Sequence, residues 1–239
     1  MWFSTFLELL YPSHCVGCGI ALFEESSLCT SCWNQLPKLS EYYCPICDYS
    51  LPTQHAHCDN CTDRKLHFLR ALSAFRYDGL VVQLLSRFKY AGDQSLKKVM
   101  GELISHALSR ESWSSLSLRA VVPVPLHPRR EREREFNQAR LLAQEVASRL
   151  QLPLEDLLSR IKATSTQVHS HRKERIDNLR DAFIIKKKIF KKTKLLSGNY
   201  LLVDDVLTTG STLDECAKVL LSAGAQRVWA VTVARSYRQ

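Results

Sequence analysis

Long apolar runs are missing from this chain. The cleanest, Ala120 to Leu126, has seven residues and two of them are proline, far short of the ~18 that a membrane span needs. Glycine and proline are scarce, 8 each in 239 residues, while 45% of residues are hydrophobic and 24% charged. That balance excludes a collagen-like or largely disordered chain. The first residues lack the marks of a secretion signal. Trp2 to Tyr11 is apolar, but no Lys or Arg precedes it, Glu8 interrupts it and no small-residue cleavage site follows. A cytoplasmic protein is expected, in which nine cysteines serve as metal ligands or reactive groups rather than as disulfides.

Bases are almost absent from residues 1–63. Lys38 stands against Glu8, Glu24, Glu25, Glu41, Asp48, Asp59 and Asp63, a sum of −6, whereas residues 64–239 carry +15. Eight of the nine cysteines also precede residue 63. Charge and composition change together, so the expected domains are 1–63 and 64–239.

The small domain repeats a four-cysteine unit. Cys15-Val-Gly-Cys18 is followed by Cys29-Thr-Ser-Cys32, and Cys44-Pro-Ile-Cys47 by Cys58-Asp-Asn-Cys61; an offset of 29 carries each cysteine of the first set onto the second. A two-residue gap in a tight turn brings two thiolates to one ion, and two such turns complete the tetrahedral shell favoured by zinc. Sequential pairing puts one zinc in each unit, and an interleaved pairing would cross-brace them; the repeat favours the sequential scheme. His14, His55 and His57 are read as solvated. A closed shell of four thiolates is structural. The ribbon either contacts nucleic acid or a partner, or packs as a stapled appendage on the larger domain.

From residue 68 strands and helices alternate. Strands are expected at Leu69–Tyr77, Arg119–Val124, Tyr200–Val203 and Arg227–Ala234, and helices at Leu80–Phe88, Ser95–Ser109, Asn137–Leu150 and Thr212–Ala223. Such alternation implies an α/β fold with a mostly parallel sheet covered by helices on both faces.

The most informative segment is Asn199 to Leu213. An apolar strand runs into two carboxylates, Asp204 and Asp205, and then into Thr208-Thr209-Gly210-Ser211-Thr212 at the start of a helix. Gly210 permits a tight turn that aims successive amides at one point. Those amides, the loop hydroxyls and the positive helix end form a phosphate cradle. No Gly-Lys-Ser/Thr follows, which excludes a Walker loop. Adjacent carboxylates at the carboxyl end of a strand suit the hydroxyl pair of a ribose, and one can help hold Mg²⁺ through water.

The stretch LLVDDVLTTGST resembles the phosphoribosyl-pyrophosphate loop of type I phosphoribosyltransferases. Val121 to Pro128 followed by Arg129 to Arg134 and by Phe136-Asn137-Gln138-Ala139 resembles the ComF and GntX group of competence proteins. So do Phe88 to Asp93, and Thr166-Gln167 with Arg172, Arg175 and Asn178 before Ala182-Phe183. The cysteine-rich front resembles that group's double zinc ribbon. One departure is Glu135, where the group usually has glycine. The resemblance implies a type I phosphoribosyltransferase-like domain in which Asp204 and Asp205 hold the ribose, Thr208 to Thr212 hold its 5′-phosphate, and Lys89 sits near the pyrophosphate. It also implies a flap from Arg160 to Asn178 whose Arg172 and Arg175 neutralise departing pyrophosphate, with Mg²⁺ as cofactor beside two structural zinc ions.

Two basic stretches stand apart. Arg129, Arg130, Arg132 and Arg134 alternate with glutamates, as in a salt-bridged loop. Lys186, Lys187, Lys188, Lys191, Lys192 and Lys194 form a run with no acid from Ile184 to Gly198. This run reads either as a solvated loop or as a phosphate-tracking patch, and nucleic-acid binding by it would be sequence-tolerant and salt-sensitive. What the resemblance implies as function is phosphoribosyl-pyrophosphate binding in a ComF-type protein of DNA uptake that handles single-stranded DNA, with other uptake proteins as partners. The alternative is an active Mg²⁺-dependent phosphoribosyltransferase whose acceptor the sequence does not name.

Overall fold

The computed structural model describes residues 13–23, 26–62, 64–90, 96–162, 179–186 and 196–237. Arg172, Arg175, Lys187, Lys188, Lys191, Lys192 and Lys194 lie outside the described residues, as does most of the expected flap. Among the residues described, no helix is long and apolar enough to cross a membrane.

Four strands form the central sheet: β3 (Arg70–Arg76), β4 (Leu118–Pro123), β7 (Asn199–Leu207) and β8 (Arg227–Arg235). Their order is β3-β8-β7-β4 and every pairing is parallel. Parallel strands are buried on both faces, and the alternation of side chains shows it. Leu201 and Val203 of β7 enter one core, Tyr200 and Leu202 the other. Three helices cover the first face: α2 (Gly79–Tyr90), α3 (Lys97–Leu108) and α5 (Gln138–Leu150). They contribute Leu84, Leu85, Phe88, Val99, Leu103, Leu142 and Val146 at helical spacing. The opposite face is covered by α6 (Ser211–Ser222) and by the antiparallel pair β5 (Leu158–Arg160) and β6 (Phe183–Ile185).

The cysteine-rich front module comprises the short antiparallel pair β1 (Ser13–His14) and β2 (Ala21–Leu22), helix α1 (Thr30–Asn34) and the turns of the second unit. Cys15, Leu28, Cys32 and Leu36 are continuous with the first core, while Cys44, Cys47, Leu51 and Cys58 form a cluster of their own. The module is no loose appendage, because it covers the open edge of the sheet. Ala71 N–H donates to the Ile46 carbonyl (2.7 Å), Ser73 N–H to the Asp48 carboxylate (2.6 Å) and Arg76 N–H to the Pro37 carbonyl (2.8 Å). Asp48 is fully buried, and Arg110 donates to both of its oxygens as well as to the Ser73 carbonyl. Without that ion pair the edge amide would face a desolvated, unpaired carboxylate. The other edge is covered too: Val121 N–H donates to Pro153 and Val121 accepts from Glu155 N–H.

Two expectations are corrected. The Arg-rich segment is not a loop but helix α4 (Pro128–Arg134), with Pro128 in its first turn and an Arg129–Glu133 pair at 3.0 Å one turn apart. Strand β7 does not stop at Val203. It continues through both aspartates to Leu207, because β8 pairs with it as far as Arg235.

Glu135, which ends α4, has φ +64°, the left-handed region in which a Cβ is strained. The backbone of a glycine position is thus kept although the glycine is not. Replacing Glu135 with Gly should stabilise the protein by about 1 kcal/mol, less the entropy glycine adds to the unfolded chain. A denaturant midpoint that falls would show that the glutamate side chain contributes more than its backbone strain costs.

Candidate functional site

In the front module the structure brings the cysteines together sequentially, Cys15, Cys18, Cys29 and Cys32 in one group and Cys44, Cys47, Cys58 and Cys61 in the other, with the sulfurs of each group within 4.8 Å of one another. A Zn–S bond of about 2.3 Å implies tetrahedral S···S edges of about 3.8 Å. The edges Cys18–Cys29 (3.7 Å), Cys47–Cys58 (3.7 Å) and Cys44–Cys61 (3.9 Å) match, and Cys47–Cys61 (3.2 Å) is shorter. Further donors face the sulfurs: Cys29 N–H to Cys15 (3.2 Å), Cys32 N–H to Cys29 (3.4 Å) and the Asn60 amide to Cys47 (3.3 Å). Gly17 is required by packing, since a Cβ there would lie 2.9 Å from the Cys32 sulfur. Burial opposes ionisation of Cys15, but the amides of Cys29, Cys18 and Gly17 outweigh it and lower its pKa to about 6. Burial and then the charge of Cys47 push Cys58 up to about 12. Four crowded sulfurs cannot all ionise unaided, and a divalent ion at the centre removes the conflict. The donor set fits two structural zinc ions.

The second site lies where β7 meets α6. Gly210 has φ +78° and caps α6 without a side chain of its own, while Thr209 Oγ1 accepts the N–H of Ser211 at 3.4 Å. The Thr209 and Ser211 hydroxyls bond each other at 2.8 Å. Ser211 is buried and Thr208 exposed, so the four loop hydroxyls do not all face one way. Asp204 accepts the N–H of Asp205 (2.9 Å). Lys89, at the end of α2, pairs with Asp205 at 2.9 Å, both side chains mostly buried. Burial opposes the Lys89 charge, yet the two aspartates raise its pKa. Asp204 is raised to about 7 by burial and by the charge of Asp205. The structure thus brings Asp204, Asp205, Lys89 and the Thr208–Thr212 loop together. Lys186 is elsewhere, paired with Asp156 at 2.7 Å.

Sequence reasoning gave Arg160 only as the start of a flap, where the structure has the last residue of a strand, and missed Arg64 and Arg235. Arg160, at the end of β5, is close enough to Asp204 and Arg130 to feel both charges. Arg64 donates to the Thr209 carbonyl (2.7 Å) and lies 3.8 Å from Asp214, whose carboxylate also accepts the backbone N–H of His67 (2.6 Å). Arg235 is fully buried and donates to the carbonyls of Leu207 (2.9 Å), Thr208, Ser236 (2.7 Å) and Cys47 (2.8 Å). The available signal was a charge closing the apolar run Val228–Ala234, which demands buried partners.

Two measurements check these sites. Native mass spectrometry of the whole chain should show two zinc ions, and a Cys58→Ser chain should retain one; a single ion in the unaltered chain would refute the two closed shells. For Asp204, the folded pKa lies above its ordinary value, so the native state keeps a proton that the unfolded chain has released between about pH 4 and 7. Stability falls as pH rises through that window. Asp204→Asn should therefore raise the melting temperature more at pH 8 than at pH 5, and a pH-independent difference would contradict the assignment.

Comparison with known proteins agrees with this geometry. Residues 6–62 match the family described as "Double zinc ribbon domain" and residues 137–238 the family described as "Phosphoribosyl transferase domain". Competence protein F of Haemophilus influenzae is 30% identical over 227 residues, covering 93% of this chain and 96% of that protein. Competence protein ComFC of Bacillus subtilis is 30% identical over 219 residues, covering 89% and 85%. DNA utilization protein YhgH of Escherichia coli K12 is 28% identical over 226 residues, covering 92% and 96%. With full-length likeness joined to a double ribbon of four-cysteine units and a parallel-sheet phosphoribosyltransferase domain, the chain belongs to the ComF family of competence and DNA-utilization proteins.

Proposed function

We propose that this protein binds phosphoribosyl pyrophosphate with Mg²⁺ at the β7–α6 junction and acts in the cytoplasm in DNA uptake, handling incoming single-stranded DNA. The observation that carries the ligand is the continuity of the acid pair with the loop: Asp204 and Asp205 open the half-buried end of β7, and the glycine-capped start of α6 follows within a few residues. The loop amides and the helix end take the 5′-phosphate, and the acid pair takes the ribose hydroxyls. Mg²⁺ would neutralise the pyrophosphate, with water between it and a carboxylate. Asp204 and Asp205 repel each other in the absence of ligand, and hydroxyl donors together with a cation relieve that repulsion. Lys89 then exchanges Asp205 for pyrophosphate oxygens. If the sugar is transferred, Arg172 and Arg175 would neutralise departing pyrophosphate, as the family likeness implies.

The DNA-uptake role follows from the names of the relatives, Competence protein F, ComFC and DNA utilization protein YhgH. The excess of base over acid in residues 64–239 supports a strand-tracking surface, with the run Lys186, Lys187, Lys188, Lys191, Lys192 and Lys194 as its proposed contact. The second reading, an active phosphoribosyltransferase, is favoured by the match of residues 137–238 to the phosphoribosyl transferase family.

Calorimetric titration with Mg²⁺ and phosphoribosyl pyrophosphate should give binding that Asp205→Asn weakens at least tenfold and Thr209→Ala severalfold. Unchanged affinity in both variants would remove the site. Pyrophosphate release with a panel of bases, ammonia and nucleic acids separates the readings: binding without turnover leaves the DNA-handling role alone. Replacing the six lysines should flatten the salt dependence of single-stranded DNA binding, and an unaltered slope would exclude that run.

A further inference from the structure

The second four-cysteine unit and the β7–α6 loop are held by the same guanidinium. Arg235 Nε donates to the Cys47 carbonyl at 2.8 Å, and Nη1 donates to the carbonyls of Leu207 (2.9 Å) and Thr208. Nη2 lies 4.0 Å from the Cys47 sulfur. The group is fully buried, with the rings of Tyr49 and Tyr237 beside it. Arg64 repeats the arrangement one carbonyl further on. Its backbone N–H donates to the Cys61 carbonyl (3.1 Å) and its side chain to the Thr209 carbonyl (2.7 Å). Three successive carbonyls, that of Leu207 at the end of β7, which also accepts the Ser236 N–H (2.9 Å), and those of Thr208 and Thr209 in the loop, are therefore tied to the two cysteine turns of one metal shell.

The consequence follows from peptide geometry. Across a planar trans peptide, a carbonyl and the N–H of the next residue point opposite ways. Fixing the carbonyls of residues 207–209 on the zinc side turns the amides of Thr208, Thr209 and Gly210 toward the other side, where the proposed phosphate would sit. The planar fork of arginine can hold several carbonyls at set angles, which an ammonium cannot. A tetrathiolate zinc is also a net anion, and Arg235 is a buried cation at its edge.

We infer that Arg235 is a positioning residue, through which metal occupancy of the Cys44–Cys61 unit sets the amide geometry of the phosphate loop, so that zinc and the phosphorylated ligand bind with positive linkage. This inference rests on the phosphoribosyl-pyrophosphate reading of the loop. The first unit, Cys15 to Cys32, is anchored instead on α2 and α3, through Arg87 to the Val16 carbonyl and Ser27 to Glu102.

Linkage is reciprocal, which supplies the test. Zinc loss from the full, zinc-loaded chain to a chromogenic chelator is followed with and without saturating Mg²⁺ and phosphoribosyl pyrophosphate. The two ions are told apart by their absence in Cys29→Ser and Cys58→Ser chains. The second unit's zinc should be held at least about fivefold more tightly with ligand present, and the first unit's zinc should be held equally in both conditions. Arg235→Gln should bind zinc but lose the linkage, and Arg235→Lys should fail to restore it; a purely structural arginine would change the melting temperature and leave the linkage intact. Ligand binding by the unaltered chain with no change in zinc retention overturns the strut, whether or not the variants fold. Absence of any phosphoribosyl-pyrophosphate binding by the unaltered chain overturns the site itself.

Discussion

An edge strand must find partners for the amides that face away from its sheet. In β3 these are Ala71, Ser73 and Arg76, and the partners all come from the ribbon: the Ile46 carbonyl, the Asp48 carboxylate and the Pro37 carbonyl. The ribbon is too small to fold on its own core, so its turns are held by metal–sulfur bonds. The sheet edge thus depends on segments that themselves depend on zinc. Asp48 follows a zinc ligand directly and is buried against Arg110, so the metal shell and the sheet share one hydrogen-bonded seam.

That seam passes close to the β7–α6 loop, and the acid pair beside the loop is a local conflict. Burial and then the charge of Asp205 raise the pKa of Asp204 to about 7, while Lys89 pairs with Asp205 at 2.9 Å. A sequence selected for stability alone would not place both acids here. Unfavourable local choices of this kind concentrate where a ligand resolves them. The left-handed Glu135 is a second local cost, next to the Phe136-Asn137-Gln138 turn that opens α5; Asn137 there caps the helix and donates its side-chain amide to the Val124 carbonyl.

Much of this was legible in the residues. The 29-residue offset of the cysteines marked two equal units, because thiolate ligands must recur at fixed spacing in tight turns. The strands and helices of the central sheet followed from hydrophobic period, with boundaries a few residues off. The strand through Asp204 and Asp205 ran longer than its apolar residues suggested, since pairing with β8 held it in place. The alternating arginines and glutamates of residues 129–134 read as a loop and formed a helix without an apolar face: Pro128 opens it, the His127 side chain accepts the Arg129 N–H, and Arg129 and Glu133 pair one turn apart.

What the sequence determined by itself is the chemistry that needs only neighbours along the chain: sulfur pairs, an acid pair running into a glycine turn, and the period of strands and helices. Only the tertiary structure decided what Arg235, Arg64, Arg110 and Asp48 do. Their partners lie 188, 145 and 62 residues away. A buried charge is tolerated only where distant backbone carbonyls or a counter-ion converge on it, and that convergence is a property of the packed fold rather than of any local pattern.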